Sequence, residues 1–349
     1  MKKIISAFCA FALILSLGAC SNNTEKEEQT TTEAVADATT TANEEATTEA
    51  PSAPAVEINI AVLSGPTGVG ASKLMNDNAE GKNQNKYNFT VETENTNVTS
   101  GLMSGDYDIA MVATNVAANL YNKSQSIQIA AINTLGVLSI INCTDEEITT
   151  VEDLKGKTIY SPGKGANPEY VINHILKSNG LTVGTDVFVE FAAADEIIAK
   201  MVSEGGICML PQPAATTLLT KAENAKEAIV ISDEWDKLDN GSRLSMGCVV
   251  VRKEFAQAHP EAVEKFLTEY AASIEFVNEN PAEASAMIVE QGIIGKAKIA
   301  EKAIPKCNLV CITGEEIKPA IENYYQVLFD ANPDSIGGAV PADEFYYVG

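Results

Sequence analysis

The chain has 349 residues, with 48 acidic side chains against 24 Lys and Arg and a formal net charge of −24. That excess excludes a nucleic-acid partner and direct adhesion to anionic lipid, which call for clustered cationic side chains. Arginine occurs only at Arg243 and Arg252, and histidine only at His174 and His259, neither of them set among metal-ligand spacings.

The N-terminus has two lysines, an apolar run from Ile4 to Leu17, and then Gly18-Ala19-Cys20. This pattern predicts a secretory signal over residues 1–19, too short and wrongly flanked for a lasting membrane span. Small residues before a cysteine resemble a bacterial lipobox, which makes Cys20 the expected lipidated first residue of the mature chain. Its lipid would hold the protein on the outer face of the cell membrane. Residues 20–56 continue as a Thr, Glu and Ala tract. From Ser21 to Val56 it carries eight acidic residues against one lysine, with little to bury. It is expected to stay disordered and to act as a tether reaching roughly 30–36 Å, further if like charges stretch it.

The body from residue 57 onward opens on an alternating strand, Ile58 to Leu63. The strand empties into the glycine-rich turn Ser64-Gly65-Pro66-Thr67-Gly68-Val69-Gly70, and a helical pattern follows. That order is the setting of a nucleotide-binding loop, which needs Lys and then Ser or Thr directly after its last glycine. Here Gly70 is followed by Ala71 and Ser72. Lys73 comes two places late, turned roughly 200° around the helix at about 100° per residue. What remains is a helix N-terminus whose N–H groups suit a polar or anionic group.

Further along, "YDIAMVA" reads as a strand and "TNVAANLYNK" as a helix capped by Thr or Asn. "GVLSIINCT" is the next strand. A short helix precedes Gly156, a strand spans residues 157–160, and a glycine loop runs from Ser161 to Gly165. The helix after it has Asn167 as the expected cap, Pro168 at its first position and Gly180 past its end. "DVFVEFA" is a strand, "ADEIIAKMVSEGG" a helix, and "ICMLPQPAATTLL" repeats the strand-to-helix plan. The later helices open at Pro260 and Pro281, and Val263, Phe266, Leu267, Tyr270, Ile274 and Val277 form one apolar face. Alternating strands and helices predict an α/β fold with mostly parallel sheets.

No serine elbow or cysteine motif marks a nucleophile. Asp106 and Asp108 belong to a turn entering a strand, and sequence alone does not make them a catalytic pair. Beyond Cys20 the cysteines are Cys143, Cys208, Cys248, Cys307 and Cys311. Five cannot all pair; Cys307 and Cys311 would bridge only if their geometry permits.

Four stretches carry a family resemblance: "SGPTGVGASKLM", "SGDYDIAMVATNVAANL", "LKGKTIYSPGKGANPEYVINHILKSNGL" and "SEGGICMLPQPAATTLL". A fifth begins at "SMGCVVVRKEF". Together they resemble the substrate-binding lipoprotein of a bacterial ABC importer, in the branch that binds sulfonates, taurine, nitrate and pyrimidine precursors of thiamine. The resemblance implies a two-lobed periplasmic-binding-protein-like fold of type II. Lobe one would be residues 57–136 plus 248–349, and lobe two 137–247. Two crossing strands would form the hinge near Gly136-Val137-Leu138 and Ser245-Met246-Gly247, with a ligand cleft between the lobes. It also implies a small-molecule ligand and an ABC permease with a cytoplasmic ATPase. A monomer with no cofactor, no metal and no catalytic role is expected.

The residues point to the same cleft. Strand-to-helix junctions of parallel α/β sheets lie at the carboxyl ends of strands, where ligands bind. The expected ligand residues are Ser64, Gly65, Thr67, Gly68 and Gly70 at the first junction, and Thr114 and Asn115 at the second. Ser161, Lys164, Gly165 and Asn167 come from the third, and Gln212 and Pro213 from the fourth. Arg243 and Lys164 are the candidate cations, and Arg252 is expected on the surface. Tyr160 and Tyr170 either stack on a ligand ring or pack. Two other classes stay open: an enzyme on the same fold, as in a small cytoplasmic group acting on menaquinone precursors, and a surface interaction or signalling lipoprotein.

Overall fold

A computed structural model describes residues 56–349. The expected signal segment, Cys20 and the tether up to residue 55 lie outside the described residues. Ahead of the first crossing come β1 (Glu57–Leu63), α1 (Pro66–Val69), α2 (Ser72–Ala79), β2 (Lys86–Glu92), α3 (Asn95–Ser104), β3 (Ile109–Ala113), α4 (Thr114–Ser124) and β4 (Ile127–Thr134). The middle of the chain forms β5 (Leu138–Asn142), β6 (Thr158–Ser161), α5 (Asn167–Ser178), β7 (Phe188–Phe191), α6 (Ala194–Glu204), β8 (Ile207–Pro211), α7 (Ala214–Lys221), β9 (Lys226–Val230) and α8 (Ile231–Asp236). The chain then returns through β10 (Gly247–Arg252), α9 (Lys253–Ala258), α10 (Pro260–Glu279), α11 (Pro281–Glu290), α12 (Ala297–Ala303), β11 (Leu309–Thr313) and α13 (Ile317–Ala331).

These elements build two sheets, one of six strands ordered β11-β4-β10-β3-β1-β2 and one of five ordered β7-β6-β8-β5-β9. Both are mixed rather than mostly parallel. β1 runs parallel to β2 and β3, but β10 lies antiparallel between β3 and β4. In the second sheet β6 is parallel to β7 and β8, while β5 is antiparallel to β8 and β9. Part of the reason is the crossing: β5 and β10 follow the passages between lobes, and each enters its sheet in the reverse sense; β11 also lies antiparallel to β4 at the edge of the first sheet. Periodicity reports that a strand exists and does not report its direction.

The core follows from the alternations. Ile58, Ile60 and Val62 of β1 are fully buried, as are Val263, Phe266, Tyr270 and Val277 on one face of α10. Arg252, expected on the surface, is mostly covered. Its Nη2 donates to Asp108 Oδ1 at 3.0 Å, and Asp108 Oδ2 accepts from the Asn59 N–H at 3.0 Å. Asp108 thus ties β1 and β10 together beside β3, while Asp106 sits exposed and accepts from Ser104. Cys307 and Cys311 are unbridged thiols, and burial pushes them up to about 12 and about 11 respectively.

α13 touches both lobes, packing on β4 of the first sheet and on α5 of the second lobe. Its carbonyl at Ala320 accepts from the Arg243 N–H at 3.1 Å and from Ser245 Oγ at 3.0 Å. Tyr170 on α5 accepts a hydrogen bond from Asn332 Nδ2 at 2.9 Å, just past the end of α13. On the opposite flank, α12 meets α7, and Lys306 pairs with Glu227 of β9.

His174 of α5 lies against Trp235 of α8, ring centroids 5.3 Å apart. Burial, with Lys177 nearby, holds its imidazole below the ordinary value of 6.5, and Asp330 of α13 opposes them only in part. A histidine held neutral in the fold binds its proton more readily once unfolded. Its contribution is therefore complete above pH 6.5 and lost as pH falls from 6.5 through the lowered folded value. Melting temperature should fall between pH 6.5 and 5, and His174→Gln should flatten that part of the profile. An unchanged slope in the variant would sink the assignment.

Candidate functional site

Each lobe presents its strand-to-helix junctions toward the other, and a cleft of about 290 Å³ lies where they meet. The first junction contributes Pro66 and Thr67, the second Ala113, Asn115 and Val116, the third Ala166, Asn167 and Pro168, and the fourth Pro211. Thr134, Val137 and Met246, at the two crossings between lobes, line it as well. A fifth junction, β2 to α3, adds Asn95.

Of the expected ligand residues, Thr67, Asn115 and Asn167 line the cleft. The carbonyl of Thr67 is held from behind by Asn133 Nδ2 at 3.0 Å, and Asn133 also donates to Tyr270 of α10 at 2.9 Å. α5 begins one residue earlier than its sequence suggests: Ala166 is the cap and Asn167 the first helical residue. The Asn167 side chain therefore does not close on its own backbone. It is 5 % exposed, and its Oδ1 has no partner among the described residues.

The other expected residues do not line this cleft. Ser64 and Gly65 donate their N–H groups to the carbonyls of Glu92 and Ile293 at 2.8 and 3.2 Å. Gly68 is buried against β1, where an added Cβ would stand 2.4 Å from the Leu63 carbonyl oxygen. Gly70 abuts α10: a Cβ there would meet Ile274 at 2.7 Å, and Ser273 Oγ donates to its carbonyl at 2.6 Å. Thr114 does not cap α4 with its hydroxyl, which donates to the Ser245 carbonyl at 2.8 Å. Buried Tyr325 donates to the Thr114 carbonyl at 3.0 Å. This junction is a clasp on the returning strand.

Ser161 is fully buried and donates to the Pro162 carbonyl at 3.0 Å. Lys164 and Gly165 are exposed, and the Gly165 N–H donates to Glu169. Gln212 lies behind the fourth junction, 2 % exposed, its Oε1 accepting from Thr216 Oγ1 at 2.7 Å. Its Nε2 is buried without a partner among the described residues, and a cis bond joins it to Pro213. Arg243 lines a different cavity, bounded by Trp235 and the start of α13. Tyr170 faces Asn332, and the Tyr160 ring lies under Lys200 Nζ at 5.0 Å, so neither aromatic stands in the cleft wall.

Asn95 and Thr134 are the polar cleft residues outside the sequence-expected set. The alternation of Tyr87, Phe89 and Val91 was the signal for β2, and Asn95 opens the helix that follows it. Among the described residues no group of His, Cys, Asp and Glu is placed to hold a metal ion, and no helix is long and apolar enough to cross a membrane.

The sequence matches the family model described as NMT1/THI5 like over residues 88–284, more than half of the chain. Solved structures share the fold. An ABC transporter structure from Parabacteroides distasonis is 21% identical with a TM-score of 0.71, the match covering 84% of this chain and 99% of that one. The periplasmic aliphatic sulphonate binding protein SsuA from Escherichia coli is 13% identical with a TM-score of 0.65, covering 81% and 90%. The periplasmic nitrate-binding protein NrtA from Synechocystis PCC 6803 is 11% identical with a TM-score of 0.55, covering 81% and 84%. No curated protein matches the chain.

Proposed function

The chain belongs to the NMT1/THI5-like family and has the two-lobed periplasmic-binding-protein-like fold, and from that premise we propose that it is an extracytoplasmic solute-binding lipoprotein. It captures a small organic nutrient between its lobes and delivers it to the permease of an ABC importer, whose ATPase works inside the cell. The observation that carries this reading is the convergence of junctions from both lobes on one cleft. Hinge closure over a ligand then produces the form a permease recognises. Residues 57–136 and 248–349 make the first lobe and 137–247 the second. Cys20 carries the lipid, residues 20–56 hold the body off the membrane, and the protein works as a monomer. Among the described residues, no titratable side chain lines the cleft to serve as acid or base, which favours binding over catalysis.

A thermal-shift screen of the protein against sulfonates, nitrate, amino acids, pyrimidines, thiamine, flavins and purines tests the reading. A ligand at 100 times its dissociation constant adds about 2.7 kcal/mol of stability. Thr67→Ala and Asn115→Ala should shrink the shift without moving the ligand-free melting temperature. A panel that leaves the melting temperature unmoved throughout would count against capture of these solutes.

A further inference from the structure

We propose that Asn240 is a site of intramolecular deamidation, and that its conversion loosens the grip of α13 on the segment returning from the second lobe. The chain holds two Asn-Gly pairs, Asn179-Gly180 and Asn240-Gly241. A following glycine has no Cβ to shield its backbone nitrogen, so that nitrogen can reach the asparagine side chain. The fold treats the two pairs oppositely. Asn179 caps the end of α5, where the Gly180 N–H donates to the Lys177 carbonyl at 3.0 Å and Asn179 Nδ2 to the Ile175 carbonyl at 2.8 Å. The attacking nitrogen and the leaving one are both tied. Asn240 lies outside any helix or strand, in the stretch between α8 and β10. Among the described residues neither the Gly241 N–H nor Asn240 Nδ2 has an acceptor. Gly241 is exposed and Asn240 half-buried, and both line the open cavity of about 710 Å³ that also holds Arg243.

The step needs only water. The Gly241 nitrogen bonds to Asn240 Cγ, the Cγ–Nδ2 bond breaks, and the Gly241 proton leaves through solvent with the departing ammonia. Water then opens the cyclic imide at either carbonyl, which gives aspartate or isoaspartate. Either product adds a carboxylate to a cavity already lined by Asp236, Asp239 and Glu316, with Arg243 the one cation among the described lining residues. Like charges gathered there repel. In isoaspartate the main chain runs through the former side chain and is one carbon longer. That carbon falls between two ties to α13: the Asn240 carbonyl accepts from Asn323 Nδ2 at 2.6 Å, and the Arg243 N–H donates to the Ala320 carbonyl at 3.1 Å. Their present spacing fits the shorter path, so conversion works them loose. α13 also packs on the first sheet, and the change therefore reaches the joint between the lobes.

Peptide mapping of the full chain, aged in mildly alkaline buffer, tests the site with Asn179 as the internal control. The folded protein should lose the Asn240 amide about tenfold or more faster than the Asn179 amide, because two hydrogen bonds must break first at Asn179. In urea the two rates should converge, since both pairs are then free. Equal rates in the folded chain, or a faster Asn179, would overturn the site. Enzymatic methylation of isoaspartate should label the aged chain at residue 240, and Asn240→Gln, whose longer side chain cyclises poorly, should remove that label. The effect on the joint is read by amide hydrogen exchange, which should be faster at Arg243 in the isoaspartate-bearing chain than in fresh protein. Unchanged exchange at Arg243 after Asn240 has converted would overturn the loosening.

Discussion

Replacing Trp235 with alanine is expected to lower the unfolding free energy by about 3–5 kcal/mol, the usual range for emptying a fully buried tryptophan site. Trp235 has no exposed surface, and its Nε1 donates to the Ser242 carbonyl at 3.0 Å. Its ring meets His174 on α5 at 5.3 Å and stands edge-on to Tyr324 of α13 at 5.5 Å. Truncation would therefore open a void where the second lobe rests on a helix that also packs on the first sheet, and would leave a carbonyl without its donor. Trp235 is the only tryptophan in the chain. Urea unfolding of the variant is best followed by far-ultraviolet circular dichroism rather than fluorescence. A loss below about 1 kcal/mol would mean that the site collapses freely and that the contact with α13 is incidental.

The second large effect lies in the glycine-rich turn. Gly68→Val should cost about 3 kcal/mol or more, at the upper end of what overpacking does. Its Cβ would stand 2.4 Å from the Leu63 carbonyl oxygen and 2.8 Å from Val62 Cγ1, both on a strand in the body of the six-stranded sheet. Strand backbone cannot step aside as the end of a flexible side chain can. α1 would have to move, and Thr67 would leave the cleft with it. Gly65→Ala is the matched control: nothing lies within 4 Å of its added Cβ, but its φ of +91° with ψ of −159° is a conformation that alanine resists at about 1–3 kcal/mol. If both variants lost the same small amount, the turn would be yielding at Gly68 and the close packing would carry no weight.

That contrast shows what could be read from the chain and what could not. The alternation in β1, the proline-opened α10 and α11, and the strand-to-helix junctions are written in local periodicity and turn residues. The expectation of two lobes sharing a cleft came from the family resemblance. The roles of individual junction residues were not local. Whether Gly68 faces a ligand or the chain's own strand depends on which atom lies 2.4 Å beyond it. The Thr114 hydroxyl finds its acceptor 131 residues away, and Ser273 reaches the Gly70 carbonyl across 203. Such partners exist only once the sheet has assembled. Asn95 is less legible for a simpler reason: no glycine-rich turn separates β2 from α3 to mark the junction.

The position of β10 has a consequence for the order in which the molecule is made. It lies between β3 and β4, so the sheet that begins at residue 57 has a gap through its middle until residues 247–252 arrive. The whole second lobe intervenes in sequence. Pairings this distant have to pay for a long loop before they return any stability, which makes them late events in assembly. A chain delivered N-terminus first thus carries more than half its length past the point of delivery before its first sheet can close. The six-stranded sheet is therefore not a stretch that a simple truncation would isolate, whereas all five strands of the other sheet lie between Leu138 and Val230.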